Sequence, residues 1–338
     1  MNKTLKEKGP ILITGTFRSG TTLISQMIRN HSNIELIYDS VNFMRFSYNN
    51  YNPIDDFSNV KKLVKEILNR IKKRWDMEFD YREVIKKLEK EEINYALIYD
   101  TIMSDLLLKE SSADIWGEKT TLVWTKIPDF FSMFPNGRVI HIIRDPRAVL
   151  ASWRKMTHAP GNDYLDSILN CRSSMELAKK YKNDFANNKY KLMKFEDLIE
   201  NPEKEIKDTC KKLDLNFEKN MLNTSKFTDK KGEKWDGNSM YDKKIKGISK
   251  KTKDKWKDKL SDWEIWLAEY INSDLMDVYN YKKMEPKKTE KLMDVVIKNI
   301  QDSDVVTNGI LKYIFKEKGQ ERFPDDPFDE KNWEDEIT

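Results

Sequence analysis

An apolar run, a loop bracketed by glycines and an amphipathic helix follow one another without a spacer at residues 9–28. The run Ile11-Leu12-Ile13-Thr14 leads into Gly15-Thr16-Phe17-Arg18-Ser19-Gly20-Thr21-Thr22, and the helix continues as Leu23-Ile24-Ser25-Gln26-Met27-Ile28. The glycine spacing is that of the phosphate-cradling loop G-x-x-x-x-G-K-[ST], with Thr21 in the lysine position and Thr22 in the hydroxyl position. Arg18, inside the loop, is the cation this segment offers. Backbone N–H groups of such a loop, together with the positive end of the helix it opens, favour an anion. The segment therefore predicts an anion cradle suited to something other than the usual magnesium nucleotide.

Apolar runs at 11–14, 35–38, 115–117, 139–143 and 190–195 predict five strands separated by helical patterns. The first and fourth are apolar on both faces, which argues for a mostly parallel sheet covered on each side. The expected fold is α/β: a P-loop-like parallel sheet flanked by helices, with a helical insertion at 56–110 and a helical C-terminal extension. In the insertion, Val60, Leu63, Val64, Ile67, Leu68 and Ile71 recur at three and four, and Asp80 opens a second helix. The insertion suits either an acceptor pocket or packing on the sheet edge. Residues 218–259 read as a loop, with lysine nine times between Lys243 and Lys259 and isolated Trp235, Ile245, Ile248 and Trp256. Helical patterns follow at 263–281 and 292–315, then an acidic tail at 321–338. The division expected is a main domain at 1–282 and an extension at 283–338.

A formal net charge of +4, with acids and bases interleaved, lacks the basic field of a nucleic-acid binder. Cys171 and Cys210 read as reduced structural thiols, which suits a cytoplasm, and with three scattered histidines they make a metal site improbable. The first residues lack an apolar leader, and no run reaches membrane-helix length.

The fourth strand ends in Arg144-Asp145-Pro146-Arg147, where Asp145 is a good N-cap and Pro146 a good first helical residue. Arg144 thus stands at the carboxyl edge of the sheet, where ligands bind in open α/β folds. Ser152 follows about two turns into the helix. An arginine and a hydroxyl there suit a second phosphate.

Together these stretches resemble the sulfotransferase superfamily that uses 3′-phosphoadenosine 5′-phosphosulfate (PAPS). T-G-T-F-R-S-G-T-T-L at 14–23 is similar to the family's 5′-phosphosulfate loop, with Phe17 where proline is usual. R-V-I-H-I-I-R-D-P-R-A-V-L-A-S-W at 138–153 is similar to its 3′-phosphate strand and helix. K-L-M-K-F-E-D-L with N-P at 201–202, and E-K-T at 118–120 with F-P at 134–135, resemble two further family segments. The likeness spans about 10–280 and is closest in pattern to the carbohydrate and tyrosylprotein types.

The resemblance implies that Arg18, Ser19, Gly20, Thr21 and Thr22 hold the 5′-phosphosulfate and that Arg144 and Ser152 hold the 3′-phosphate, with 3′-phosphoadenosine 5′-phosphate (PAP) as product. Lys119 corresponds to a lysine that stabilises transferred charge. Trp256, with Lys255 and Lys257, is similar to a late segment that folds over the cofactor, with Gly247 as its hinge. Sulfuryl transfer needs an in-line arrangement, neutralisation of the bridging oxygen and a base for the acceptor's proton. A sulfuryl group carries less charge than a terminal phosphoryl group, so fixed donors suffice without a metal. Asp39 takes the place of the family's glutamate base; Glu35 and Glu118 are fallbacks, and His31 reads as capping or packing the first helix. Asp39 also suits a turn before Ser40. Because relatives with an acidic base often sulfate sugars, the resemblance favours a carbohydrate hydroxyl as acceptor, with an amine, a protein tyrosine or a lipid headgroup left open.

Two rival classes remain at this point. In a P-loop kinase, Asp145 would serve as the magnesium-binding acid. A non-catalytic module would keep the nucleotide cradle and have no use for a carboxylate at Asp39.

Overall fold

The computed structural model describes residues 9–75, 77, 80–154, 159–185, 189–228, 234 and 248–316. Its centre is a five-stranded sheet in the order β2-β3-β1-β4-β5, parallel throughout. The strands are β1 (Ile11–Gly15), β2 (Ile34–Tyr38), β3 (Ile115–Lys119), β4 (Arg138–Ile143) and β5 (Tyr190–Lys194). All five lie where the apolar runs predict them, and β3 extends through Glu118 and Lys119 beyond the expected 115–117.

Every residue of β1 and β4 is buried, as strands covered on both faces require. Alternation sorts their side chains. Ile11, Ile13, Ile140 and Ile142 join one hydrophobic layer with α1 (Thr21–Arg29), α8 (Phe195–Glu200) and α9 (Pro202–Lys212). Leu12 and Val139 face the opposite layer, built from α2 (Phe57–Trp75), α3 (Tyr81–Leu88), α4 (Tyr95–Leu107), α5 (Ile127–Met133), α6 (Pro146–Trp153), α7 (Asp166–Asp184) and α10 (Asp262–Val278). At roughly 25 cal/mol per Å² of apolar surface, these two layers supply the main driving force for folding.

The insertion comprises α2 to α4. Helix α2 buries Val60, Leu63, Val64, Ile67 and Ile71 as the spacing predicts, and adds Arg70 and Trp75; Leu68 is only half-buried. Asp80 caps α3 by accepting from the amides of Arg82 and Glu83. The expected stretch 292–315 is two helices, α11 (Glu290–Gln301) and α12 (Asp304–Lys316). The break falls at Ser303, whose Oγ accepts from Val306 N at 3.1 Å. Val296 and Val306 belong to the same hydrophobic layer as Leu12. Arg172 on α7 joins α12 by donating to the Tyr313 hydroxyl.

Cys171 and Cys210 are free and buried. No helix among the described residues is long and apolar enough to cross a membrane. Trp235, Ile245, Gly247 and the acidic tail lie outside the described residues, as does the start of the chain.

Candidate active site

Strand register sets the site. Ile13 of β1 pairs with Lys119 of β3 on one side and Ile140 of β4 on the other, and Lys119 pairs with Tyr38 at the end of β2. All these strands point the same way, so the loop after β1, Lys119, Asp39 and Arg144 emerge along one edge. In chain order β1 is followed by β2 and β3 on one flank and β4 on the other, which makes this the sheet's switch point.

The loop turns sharply into α1. Gly20 is the N-cap, with φ 98° in the left-handed region. A Cβ there would lie 2.3 Å from Cδ2 of Phe195, so glycine is required for shape as well as for backbone. Ser19 Oγ donates to Thr16 O at 2.6 Å, and Ser19 N donates to the same carbonyl at 3.2 Å. The amide of Ser19 is thereby engaged within the loop. The amides of Thr21 and Thr22, in the first helical turn, have no intrahelical acceptor and face outward along the helix axis.

Arg144 is next to this loop. Its Nη1 donates to Arg18 O at 2.8 Å and its Nη2 to Thr252 O at 3.2 Å, while the guanidinium lies 4.3 Å from the Phe195 ring centroid. Arg18 Nε donates to Ser152 Oγ at 2.9 Å. The two segments that the sequence separates by more than a hundred residues are therefore one site. Asp145 does not offer its carboxylate to a metal. Its oxygens accept from Arg147 N at 2.9 Å, Arg147 Nε at 3.0 Å and Arg147 Nη2 at 2.7 Å. Arg147 also donates to Glu269 at 2.5 Å. Burial opposes the Arg147 charge, yet Asp145 and Glu269 outweigh it and hold its pKa above the ordinary value. Trp256 is buried with the Arg147 guanidinium 4.0 Å over its ring, so it backs the start of α6, and the contact from its segment to Arg144 is the Thr252 carbonyl.

On the other flank, Lys119 Nζ donates to Asp39 Oδ1. Lys119 is 3% exposed and Asp39 31%, which leaves the carboxylate as the accessible member of the pair. Asp39 has φ 57°, a left-handed conformation that aspartate tolerates better than most residues. The backbone thus agrees with the turn expected at Asp39.

Glu118 is enclosed by the chain's own donors. It is fully buried and accepts from Asn42 N at 2.5 Å, from Phe43 N at 3.4 Å and from the Tyr99 hydroxyl. Burial raises its pKa, against these hydrogen bonds. Glu35 is the second residue of β2, at the far end of the strand from Asp39, and accepts from Ser111 Oγ at 2.9 Å. His31 follows the far end of α1 and bonds Asn216 O and Asn33 N at 2.9 and 3.0 Å.

Two residues that hold Asp39 were not anticipated. Arg70 donates to Val41 O at 2.8 Å, and Trp75 Nε1 donates to Tyr38 O at 3.1 Å, so α2 grips the segment on both sides of Asp39. A basic residue three positions after Ile67 on the buried stripe was the available signal. With a carboxylate and an ammonium on one flank of an anion cradle, and two guanidiniums and a hydroxyl on the other, the edge suits transfer of an anionic group from a doubly charged donor.

That arrangement defines an α/β fold with an anion cradle at its carboxyl edge. A family model described as the sulfotransferase family matches residues 10–219, and the chain belongs to that family. It is accordingly an enzyme of the sulfotransferase class, whose sulfuryl donor is PAPS. No curated protein matches the sequence. Among solved structures, the sulfotransferase domain from the curacin biosynthetic pathway aligns with TM-score 0.55 and 17% identity, covering 81% of this chain and 98% of that one. The sulfotransferase domain from the Synechococcus PCC 7002 olefin synthase gives 0.54 and 18%, covering 81% and 94%. These likenesses establish the shared fold.

Proposed function

We propose that the chain transfers the sulfuryl group of PAPS to a hydroxyl of its acceptor, with Asp39 as base. The observation that carries this reading is the bond from Arg144 to the Arg18 carbonyl, which joins the two anion pockets. The donor set fits the nucleotide. Gly20 keeps the tight turn into α1, where a Cβ would strike the Phe195 ring, and Arg18, Arg144 and Ser152 bring cationic and hydroxyl groups to one edge. When bound, PAPS supplies an activated sulfuryl group on a good leaving phosphate.

The chain's own residues divide the remaining tasks. Amides of Gly20, Thr21 and Thr22, with the two threonine hydroxyls, orient the 5′ end. Arg144 and Ser152 anchor the 3′-phosphate, with the Trp256 segment behind them. Asp39 takes the acceptor proton, and Lys119 beside it neutralises charge building on the bridging oxygen. We take 1–282 as the catalytic unit and 283–338 as an extension, whose helices at 290–301 and 304–316 pack on it. A carbohydrate hydroxyl is the proposed acceptor, on the ground that an acidic base at this position is shared with carbohydrate-type relatives. A reducing cytoplasm is proposed because both cysteines are free thiols.

The test begins with thermal shift. Adenosine 3′,5′-bisphosphate is expected to raise the melting temperature and ATP with magnesium to leave it unchanged; the reverse ranking would refute the donor. Labelled-sulfate transfer to sugars, phenols, peptides and aliphatic alcohols then identifies the acceptor, and labelling of any other class in preference to sugars removes the carbohydrate proposal. Asp39→Asn is expected to keep bisphosphate binding and lose turnover.

A further inference from the structure

Solvent-facing apolar side chains are confined to one part of this protein. Among the described residues, every large apolar side chain left exposed lies beyond residue 269. Three of them, Leu311, Ile314 and Phe315, recur at three and four and so share one face of α12 in its last turns. Ile314 is 62% exposed and Phe315 78%. The first half of the same face is polar, with Asp304, Thr307 and Asn308.

The opposite face holds α12 in place. Val306 is buried in the layer that contains Leu12. The Tyr313 hydroxyl donates to Glu176 Oε1 at 2.8 Å and accepts from Arg172, both on α7. The helix is thus fixed along one side, and its other side becomes apolar just before the chain continues past Lys316.

We propose that residues 317–338 of the same chain fold back over this face, with Phe323, Phe328 and Trp333 as the side chains that cover it. The segment is joined directly to the turn that carries Phe315, so its effective concentration there is on the order of millimolar, and a separate partner would have to displace it. Its aromatic residues recur every five positions among acids, and Pro324 and Pro327 prevent α12 from running on through them. Gly319 lets the chain reverse close to the face. Charge is complementary as well. Residues 317–338 hold nine acids against three bases, whereas 282–316 hold eight lysines against five acids. Of these lysines, Lys287, Lys288, Lys291, Lys298 and Lys312 are exposed.

The same charges disfavour two other occupants. A second copy docked through α12 would set like charges against each other. An anionic bilayer suits lysines beside an apolar face, but here it would meet nine carboxylates in the residues after Phe315. With the segment in place, α12 presents acids rather than an apolar patch that invites association.

The test uses the full chain and needs no turnover. Phe323→Ser, Phe328→Ser and Trp333→Ser are made together, and Phe315→Ser is made both alone and with them. Wild type is expected to bind the dye anilinonaphthalene sulfonate weakly. The triple variant should raise dye fluorescence by about threefold or more and speed amide exchange at 311–316 by about tenfold, with the thermal melt unchanged. Adding Phe315→Ser to the triple variant should lower the dye signal again, because the exposed face is then itself reduced. Should the triple variant melt early, Trp333→Ser alone carries the comparison, with smaller changes in the same direction. Wild type binding the dye as strongly as the triple variant would overturn the proposal. So would a dimer in light scattering that Phe315→Ser dissociates and the three serines leave intact, which would assign the face to a second copy. Flotation with phosphatidylglycerol vesicles that Phe315→Ser abolishes would overturn it in favour of a membrane.

Discussion

Replacing Glu118 by alanine tests whether this carboxylate anchors the Asp39 segment or is itself the base. It accepts two backbone amides, at 2.5 Å from Asn42 and 3.4 Å from Phe43, together with the Tyr99 hydroxyl. The Phe43 contact is long and contributes little. The other two, made to a charged acceptor, are worth about 1.5–3 kcal/mol each. Against them stands the burial that raises the Glu118 pKa. The net loss in Glu118→Ala is therefore about 3–4 kcal/mol, in line with removing one partner of a buried charged set. With a urea m-value of about 3 kcal/mol/M, the unfolding midpoint should drop by about 1 M. Turnover should fall about 100-fold, because a shift near 1 Å at the base is enough, while bisphosphate affinity stays unchanged. Glu118→Gln keeps one acceptor oxygen but turns an amide N–H toward another donor, and should lose about half as much stability. The pH profile decides between anchor and base. As an anchor, Glu118→Gln retains the acidic limb of the kcat profile. A Glu118→Gln protein as stable as wild type but lacking that limb would refute the reasoning and make Glu118 the base.

Two further outcomes follow from the packing. Burial pushes the His141 imidazole down to about 3 from its ordinary value, so below pH 6.5 the unfolded chain takes up a proton that the folded chain refuses; stability should fall with pH by about 1.4 kcal/mol per unit, or about 2.7 kcal/mol by pH 4.5. Urea unfolding of His141→Asn between pH 7 and 4.5 should lack this component, and parallel curves for the two proteins would contradict it. Gly20→Ala must adopt φ 98° and place a Cβ 2.3 Å from Phe195, at about 1–2 kcal/mol for the backbone alone. Thermal melting should show the loss, and Phe195→Leu in the same chain should restore only the steric part.

Much of the donor side was legible because its signals are local. The strand, the glycine spacing and the helix that hold the cradle are contiguous, and the N-cap and proline after Arg144 announce the second helix start. The direction of the Arg18 side chain was not legible, since its partner Ser152 is brought there by the pairing of β1 with β4. Strand β3 looked short because Glu118 and Lys119 read as polar. Both are buried, and their partners Tyr99 and Asp39 come from other elements. Periodicity located α2, but the purpose of Arg70 and Trp75 depends on carbonyls at 41 and 38 that only the assembled chain presents. The break at Ser303 was readable in principle from Ser303-Asp304 before an apolar run, a helix start inside what looked like a single stretch.

The sheet order has a mechanical consequence. Asp39 follows β2, and Arg144 follows β4, with β3 and β1 lying between those two strands. The proposed base and the proposed donor anchor are thus cantilevered from opposite wings, and the sheet's twist fixes the span separating them.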